Sequence, residues 1–366
     1  MFAAMGEARD HINLETYILE AGEIGERLAQ LLEKKIAQGV RVNVLYDSVG
    51  SIGTPPGYFE RLRKLGAAVC EFNPVNPAKA ATGWEINNRN HRKILVVDGR
   101  TAFTGGINIS SAYSSGSRSN RPPQAVKPGE GSARGWRDTH VRARGPIVAR
   151  FQRLFLDSWA LEDCGPAQEA NYYPRLEPAG AKAMRVLSSD PGSRKSAERS
   201  EMYGALLSTI GRARHRVWLT FGYFVPDPLT RQALIDAARR GVDVRLVLPG
   251  FSDFWAPIYA GRSSYEELLD AKVRIYEWHE ALMHAKTAVI DSEWSSVGST
   301  NLDWRSFVHN YEADLVVYDR GFAAELERRF AIDVEASVEV KLREWKRRGA
   351  VERMKEWLAR RWEFLL

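Results

Sequence analysis

The chain is written twice, and this duplication constrains its fold more than any other feature. EARDHINLETYIL (7–19) answers GRARHRVWLTFGYF (211–224). LLEKKIAQGVRVNVLYDSVGS (31–51) answers LIDAARRGVDVRLVLPGFSD (234–253). FERLRKLGAAVCEF (59–72), HRKILVVDGRTAFTGGIN (91–108) and GWRDTHVRARG (135–145) answer YEELLDAKVRIYEW, HAKTAVIDSEWSSVGSTN and HNYEADLVVYD in the same order. Within the blocks, helical patterns close at a Gly cap and feed Val-rich strands. Helices alternating with apolar strands predict an α/β fold of two pseudo-twofold-related α/β/α sandwich halves. The expected division is 1–165 for the first half, a polar, Pro-bearing linker at 166–182, 183–333 for the second half, and basic amphipathic C-terminal helices at 334–366. The repeat finds no upstream partner for 183–205. The first half is therefore expected to lack one strand, with either an uncapped sheet edge or a reading frame that continues before Met1.

Each half carries His-x-Lys-x4-Asp and, seven residues later, Gly-(Gly/Ser)-x-Asn. In the first half these are His91, Lys93, Asp98, Gly105, Gly106 and Asn108; in the second, His284, Lys286, Asp291, Gly298, Ser299 and Asn301. In a strand, residues two apart share a face, so each His and Lys should point the same way. A twofold axis between halves would set two His/Lys pairs face to face, as in-line displacement at phosphorus requires. One imidazole can attack phosphorus while the other protonates the leaving alcohol and then activates the acceptor. The lysines, with Asn108, Ser299 and Asn301, can hold the non-bridging oxygens. A nucleophilic imidazole must be neutral and oriented, usually by a carboxylate, and Asp138 and Glu312 occupy matched positions for that task. No metal-ligand spacing is visible, and neither metal nor other cofactor is expected. Singly, every one of these residues has a plainer reading: Asp98 before Gly99 is a natural turn, and Asp138 and Glu312 are ordinary surface acids. The plainer readings fail jointly, because the pattern recurs in register. His11, His140, His215, His279 and His309 fall outside it and are expected to be structural or surface residues. Trp84, Tyr113, Trp136, Tyr223, Trp255, Tyr259 and Trp304 are candidates to line a lipid channel, with Trp136 and Trp304 foremost because they flank motif residues.

At these residues the chain resembles the phospholipase D superfamily, and within it the bacterial cardiolipin synthases of the phospholipase D type. NHRKILVVDGRTAFTGGINIS, GWRDTHV, RFQRLFLDSW, HAKTAVID and VGSTNLDWRSF carry the likeness, which spans essentially the whole chain. Ser292 departs from it, standing where that family often has Gly. The resemblance implies phosphatidyl transfer through a phosphohistidine to a lipid alcohol, most simply cardiolipin synthesis from phosphatidylglycerol. It implies His91 as nucleophile, His284 as acid, and Asp138 and Glu312 as the acids that orient them. A nuclease of the same superfamily is the competing enzyme, and a binding protein with a relic site is a third, weaker reading because no motif position is lost.

Charge and apolar patterning bear on partners. The net charge of +6 is concentrated, with nine Lys/Arg against four Glu in 341–366 and a net of +3 in 114–134. Both segments suit anionic phosphates, and Arg118, Arg121 and Lys127 mark 114–134 as a candidate lip over anionic head groups. In 350–366, Val351, Met354, Leu358, Trp362 and Leu365 make one apolar stripe, beside Trp357 and Phe364. A Trp-bearing stripe with basic flanks suits an interfacial membrane helix; the alternative is packing on the protein's own second half. The expected partners are an anionic phospholipid substrate and a membrane surface, not nucleic acid. The expected location is peripheral, on the cytoplasmic side of a bacterial cell membrane. No apolar run approaches transmembrane length, although an upstream membrane segment stays open. Cys70 and Cys164 lack metal spacing and read as two free thiols in a reducing compartment.

Overall fold

A computed structural model describes residues 1–76, 85–113, 135–162, 164–191, 200–252 and 254–361 of the chain. The first half contains α1 (Phe2–Gly6), β1 (His11–Thr16), α2 (Glu23–Ala37), β2 (Arg41–Asp47), α3 (Pro56–Lys64), β3 (Ala68–Phe72), β4 (Arg89–Asn90), β5 (Ile94–Val97), β6 (Thr101–Gly105), β7 (Trp136–Arg137), β8 (His140–Arg144) and α4 (Val148–Leu161). The second contains β9 (Ala183–Ser189), α5 (Glu201–Arg212), β10 (Arg216–Phe221), α6 (Pro228–Arg239), β11 (Asp243–Pro249), α7 (Trp255–Arg262), α8 (Tyr265–Asp270), β12 (Arg274–Trp278), β13 (Leu282–Met283), β14 (Lys286–Ile290), β15 (Trp294–Gly298), α9 (Trp304–Val308), β16 (Asn310–Tyr318), α10 (Arg320–Glu335) and β17 (Ser337–Glu339). Two short helices follow, α11 (Leu342–Trp345) and α12 (Ala350–Arg360).

The duplication is visible in topology. The first sheet runs β3-β2-β1-β5-β6-β8, and the second repeats it as β12-β11-β10-β14-β15-β16. Parallel pairing of β1 with β2 sets His11 opposite Arg41, and antiparallel pairing with β5 sets Ile12 opposite Val97. The matching registers in the second sheet are Arg216 with Asp243 and Val217 with Ile290. The helix caps repeat as well: Gly39 and Gly241 end α2 and α6 at φ of 83° and 91°, a region glycine enters without steric cost.

Each sheet buries one face under its own helices. Leu28, Leu32 and Leu62 meet Val42, Val44 and Leu95 in the first half; Leu206, Leu234 and Leu268 meet Val244, Leu246 and Ala288 in the second. Truncating a fully buried leucine such as Leu32 to alanine would cost roughly 2–5 kcal/mol. A third apolar cluster joins the halves, with Ile94, Val96, Ala102 and Phe151 against Ala313, Leu315 and Val317.

The halves differ at their edges. In the second sheet β9 pairs along β16 from Glu312 to Tyr318, and β17 adds to β12. In the first, among the described residues, β8 pairs with β6 alone. The halves also interlock. β4 leaves the first half to pair with the start of β16, Arg89 opposite Asn310, while β7 pairs with β13, Trp136 opposite Leu282. The cysteines overturn the free-thiol expectation. Cys70, on β3, and Cys164, just beyond α4, are bonded as a disulfide, with their Cα atoms 5.7 Å apart. They lie 94 residues apart, a pairing that sequence spacing does not reveal.

Candidate active site

The interlocked strands create the site. Because β4 pairs with β16, the next residue, His91, donates its backbone N–H to the Tyr311 carbonyl at 2.9 Å. Because β7 pairs with β13, His284 donates likewise to Arg137 at 2.8 Å. Each histidine therefore lies one residue from a carboxylate of the other half. His91 Nδ1 meets Glu312 Oε2 at 2.9 Å, and His284 Nδ1 meets Asp138 Oδ2 at 2.7 Å. Engaging Nδ1 in this way leaves Nε2 as the reacting nitrogen of each ring. The two ring centroids are 6.5 Å apart.

The lysines lock the same turns. Lys93 donates to the His91 carbonyl at 2.7 Å, and Lys286 donates to that of His284. His91 and Lys93 lie in the extended link between β4 and β5 rather than inside a strand, which corrects the simple strand-face expectation; Lys286 opens β14. The asparagines fix the loops after β1 and β10. Asn108 Oδ1 accepts the Ile18 N–H at 3.0 Å, and Asn301 Oδ1 accepts that of Tyr223 at 3.3 Å. Ser299 accepts the Ala313 N–H at 3.0 Å, beside Glu312. At the matched position, a Cβ on Gly106 would run into the Asp138 carboxylate, so glycine there makes room for the acid.

Asp98 and Asp291 were expected in the catalytic set, and the structure does not bring them to the histidines. Each sits in a turn at the far end of its strand, with φ near 50° (53° and 51°). Each lies seven positions from its histidine, about 20 Å along a nearly extended chain. Asp98 accepts the backbone N–H groups of Arg9, Asp10 and His11; Asp291 accepts those of Arg214, His215 and Arg216. They anchor the starts of β1 and β10. Ser292 holds a left-handed φ of 57° where the first half has Gly99, and its hydroxyl donates to Glu327 at 2.7 Å.

A cavity of about 330 Å³ opens onto both imidazoles. Trp136, Tyr223 and Asn301 line it, with Tyr17, Arg89, Phe254, Pro257, Asp303, Arg305 and Asn310, which sequence reasoning had not assigned to the site. The NRNH run placed Arg89 beside a motif, and DWRSF placed Asp303 and Arg305 close behind another. Tyr17 carried no such signal. Trp136 lies 4.7 Å from the His284 ring and Tyr113 6.4 Å. Trp304 opens α9, and its neighbours Asp303, Arg305 and Ser306 form the wall. Trp84 and the segment 114–134, with Arg118, Arg121 and Lys127, lie outside the described residues. Of the other histidines, His11 is buried and His140 half-buried, and neither lines the cavity.

Electrostatics suit nucleophilic imidazole. Burial, with Lys93 and Lys286 beside it, holds His91 well below its usual value; burial and Lys286 push His284 down to about 3. Both are neutral at neutral pH. Burial lowers Lys93 strongly and takes Lys286 to about 8. Burial raises Glu312 to about 7 against the pull of Lys93. Asp138 is pushed up by burial, but His284 and Lys286 outweigh that and hold it below the usual carboxylate range. Among the described residues, no group of three or more His, Cys, Asp or Glu is placed to hold a metal ion.

A duplicated α/β/α fold with two matched, carboxylate-backed histidines across one cavity defines an enzyme of the phospholipase D type. The family model described as cardiolipin synthase, phospholipase D-like domain, matches residues 1–120 and 206–334, and the chain belongs to that family. It is 32% identical to cardiolipin synthase 1 of Bacillus anthracis over 96% of this chain and 67% of that protein. It is 36% identical to the cardiolipin synthase of Geobacillus kaustophilus over 91% of this chain and 63% of that one. The chain thus spans about two thirds of the length of these relatives (67% and 63%). The crystal structure of phosphatidylserine synthase from Haemophilus influenzae Rd KW20 superposes with a TM-score of 0.67 over 100% of this chain and 92% of that one, at 13% identity, a likeness of fold. The chain is accordingly a phospholipase D-type phosphatidyltransferase of a bacterial, membrane-associated family with phospholipid substrates. No helix among the described residues is long and apolar enough to cross a membrane.

Proposed function

We propose that this enzyme makes cardiolipin from two molecules of phosphatidylglycerol. The observation that carries the reading is the crossed pairing, His91 on Glu312 and His284 on Asp138, across one cavity. His91 Nε2 attacks the phosphorus of the first lipid, and the bond to the head-group glycerol breaks. His284 gives that glycerol its proton, and the phosphatidyl group stays on His91. The glycerol hydroxyl of a second phosphatidylglycerol then enters, gives its proton to His284 and displaces His91. The products are cardiolipin and free glycerol. Burial and the lysine charges keep both imidazoles neutral; the anionic phosphate offsets the lysine charges, so His284 gains the proton it donates as the substrate binds. The ionised Asp138 stabilises that imidazolium, which favours His284 as the acid. Lys93, Lys286, Asn108, Ser299 and Asn301 hold the non-bridging oxygens, and Arg89 and Arg305 add positive charge for a lipid that is anionic as donor and as acceptor. Asp98 and Asp291 serve the site by fixing β1 and β10.

The enzyme would work from the membrane surface, on its cytoplasmic side. Finding the Cys70–Cys164 bond intact in protein alkylated on extraction from cells would instead place this domain on the oxidising side, where such bonds persist. The central experiment incubates the chain with phosphatidylglycerol vesicles in the presence of chelator. Cardiolipin and glycerol in equal amounts are expected. Phosphatidic acid as the sole product would make it a hydrolase. Cleavage of DNA with no lipid product would overturn the lipid reading.

A further inference from the structure

The C-terminal helix α12 is mounted inside out. Glu352, Lys355, Glu356 and Ala359 recur at helical spacing and form one face, and that polar face is turned to the protein. Glu356 is 4% exposed, with its carboxylate held by the Arg348 guanidinium at 2.8–3.1 Å. Arg348 also reaches Glu266 on α8 at 3.1 Å. Lys355 Nζ lies 3.3 Å from the Tyr259 hydroxyl on α7, and Ala359 is buried with Val225 and Ala260. The opposite face carries Val351, Met354 and Trp357, which are 59%, 56% and 57% exposed, with Leu358 beside them. A helix that merely covers its own core does the reverse. The stripe therefore does not pack on the second half, which removes the alternative weighed from the sequence for its described part.

Two further observations say what covers this face. The first is charge: Lys346, Arg347, Arg353, Arg360 and Arg361 are exposed around it, and the Arg361 guanidinium lies 5.0 Å from the Trp357 ring centroid. The second is continuity with the active centre. The helix against which α12 packs, α7, begins at Trp255, itself 56% exposed, and the preceding Phe254 together with Pro257 lines the catalytic cavity. Apolar side chains ringed by cations, joined by one helix to a lipid-processing cavity, match the chemistry of an anionic bilayer surface.

We propose that the outward face of α12, with Trp255 at the start of α7, is the surface on which this enzyme lies on an anionic phospholipid bilayer. Val351, Met354 and Trp357 enter the boundary between head groups and acyl chains, and the arginines engage lipid phosphates. The edge of the cavity at Phe254 then faces the membrane that supplies the substrate. The proposal rests on the phosphatidyltransferase reading for its purpose, but not for its test.

The test compares the chain with its Val351→Glu/Met354→Glu/Trp357→Glu variant. All three side chains are exposed, so the variant should fold and melt as the parent does. Sedimentation with vesicles of phosphatidylglycerol and phosphatidylcholine should show binding weakened at least ~10-fold in the variant, since each buried methylene contributes to partitioning. Raising the salt should weaken the parent's binding and leave little of the variant's. Turnover of a short-chain phosphatidylglycerol kept below its micelle concentration should be equal in both. Equal vesicle binding by parent and variant overturns the proposal. So does unchanged vesicle binding with a change from dimer to monomer, which would make the face a contact between copies of the chain. Vesicle binding that follows the expectation, without lipid turnover by the parent, would sink the enzymatic reading and leave the docking surface standing.

Discussion

The two histidine centres share one geometry and differ in surroundings. His91 has Tyr17 edge-on at 5.0 Å, and Lys93 sits 5.2 Å from the same Tyr17 ring centroid. By strand register, the position matching Tyr17 in the second half is Gly222, where a Cβ would already press on the His284 backbone. His284 is covered instead by Trp136, which comes from the first half. The carboxylates differ too. Asp138 stays ionised at neutral pH, whereas Glu312 stands near half-protonation there. The duplication thus preserves two imidazole–acid pairs while giving one a fully charged partner and the other a partner that titrates near neutrality. The permanently charged partner favours the ring that must become imidazolium, whereas His91 has a free Nε2 for attack only while ionised Glu312 accepts its Nδ1–H.

The largest effect that can break this division of labour comes from the histidines. His91→Ala and His284→Ala should each lower phosphatidylglycerol turnover, the acid's loss costing on the order of 10²–10⁴-fold and the nucleophile's more. With a nitrophenyl leaving group, which needs no proton, His284→Ala should recover the release step and His91→Ala should not. Recovery in the opposite variant would exchange the two roles.

The carboxylates come next. Asp138→Asn should cost on the order of 10²–10⁴-fold, because it removes the charge that holds and stabilises the acid. Glu312→Gln should cost less, roughly 10–100-fold, as for an orienting partner already half neutral. The sign of the pH dependence separates them further. Glu312 is a raised carboxyl, so its ionised form is lost as pH falls through about 7, and kcat/KM should fall with it. Asp303 and Asp314, raised by burial to the same value, titrate nearby, so the share due to Glu312 is what Glu312→Gln removes. Asp138→Asn should leave the acid limb in place. The alkaline limb, near 8, belongs to Lys286 losing its charge, and Lys286→Arg should move it upward. An acid limb unaltered in Glu312→Gln would refute the assignment.

The smallest catalytic effect should be the most symmetric. Asp98→Ala and Asp291→Ala each leave three backbone N–H groups without their acceptor, far from the chemistry. Each should lose about 2 kcal/mol of stability in denaturant unfolding while kcat of the folded enzyme stays unchanged. A large loss of kcat in either, with stability intact, would return that aspartate to the catalytic set.

The repeat made most of the fold legible, because matched residues occupy matched strands and the sheet order is the same in both halves. It also singled out His91, His284, Asp138 and Glu312, which the structure brings together. It could not show that each acid serves the opposite histidine, since that follows from the two-residue strands β4 and β7, too short to leave a pattern. Nor could it separate Asp98 and Asp291 from the site, because an aspartate that anchors a strand end has the same spacing as one that reacts. The inward polar face of α12 depends on Arg348 and Glu266, and helical periodicity records which residues share a face without recording where that face points. The Cys70–Cys164 bond rests on the passage of α4 beside β3, a tertiary contact with no local signal.

The crossed pairing also fixes when the enzyme can begin to act. His91 and Glu312 are 221 residues apart, and His284 and Asp138 are 146 apart. At ordinary rates of synthesis, roughly 5–20 residues per second, His91 waits about 10–45 s for its acid to be made. The first sheet can assemble meanwhile, since its strands come from residues 11–144. Its histidine cannot be oriented until β16 emerges and β4 docks on it. A nascent chain that stalls before residue 310 carries the first motif but not the partner that arms it. An enzyme that cuts and rejoins membrane lipid is thereby kept inert until both halves have been made.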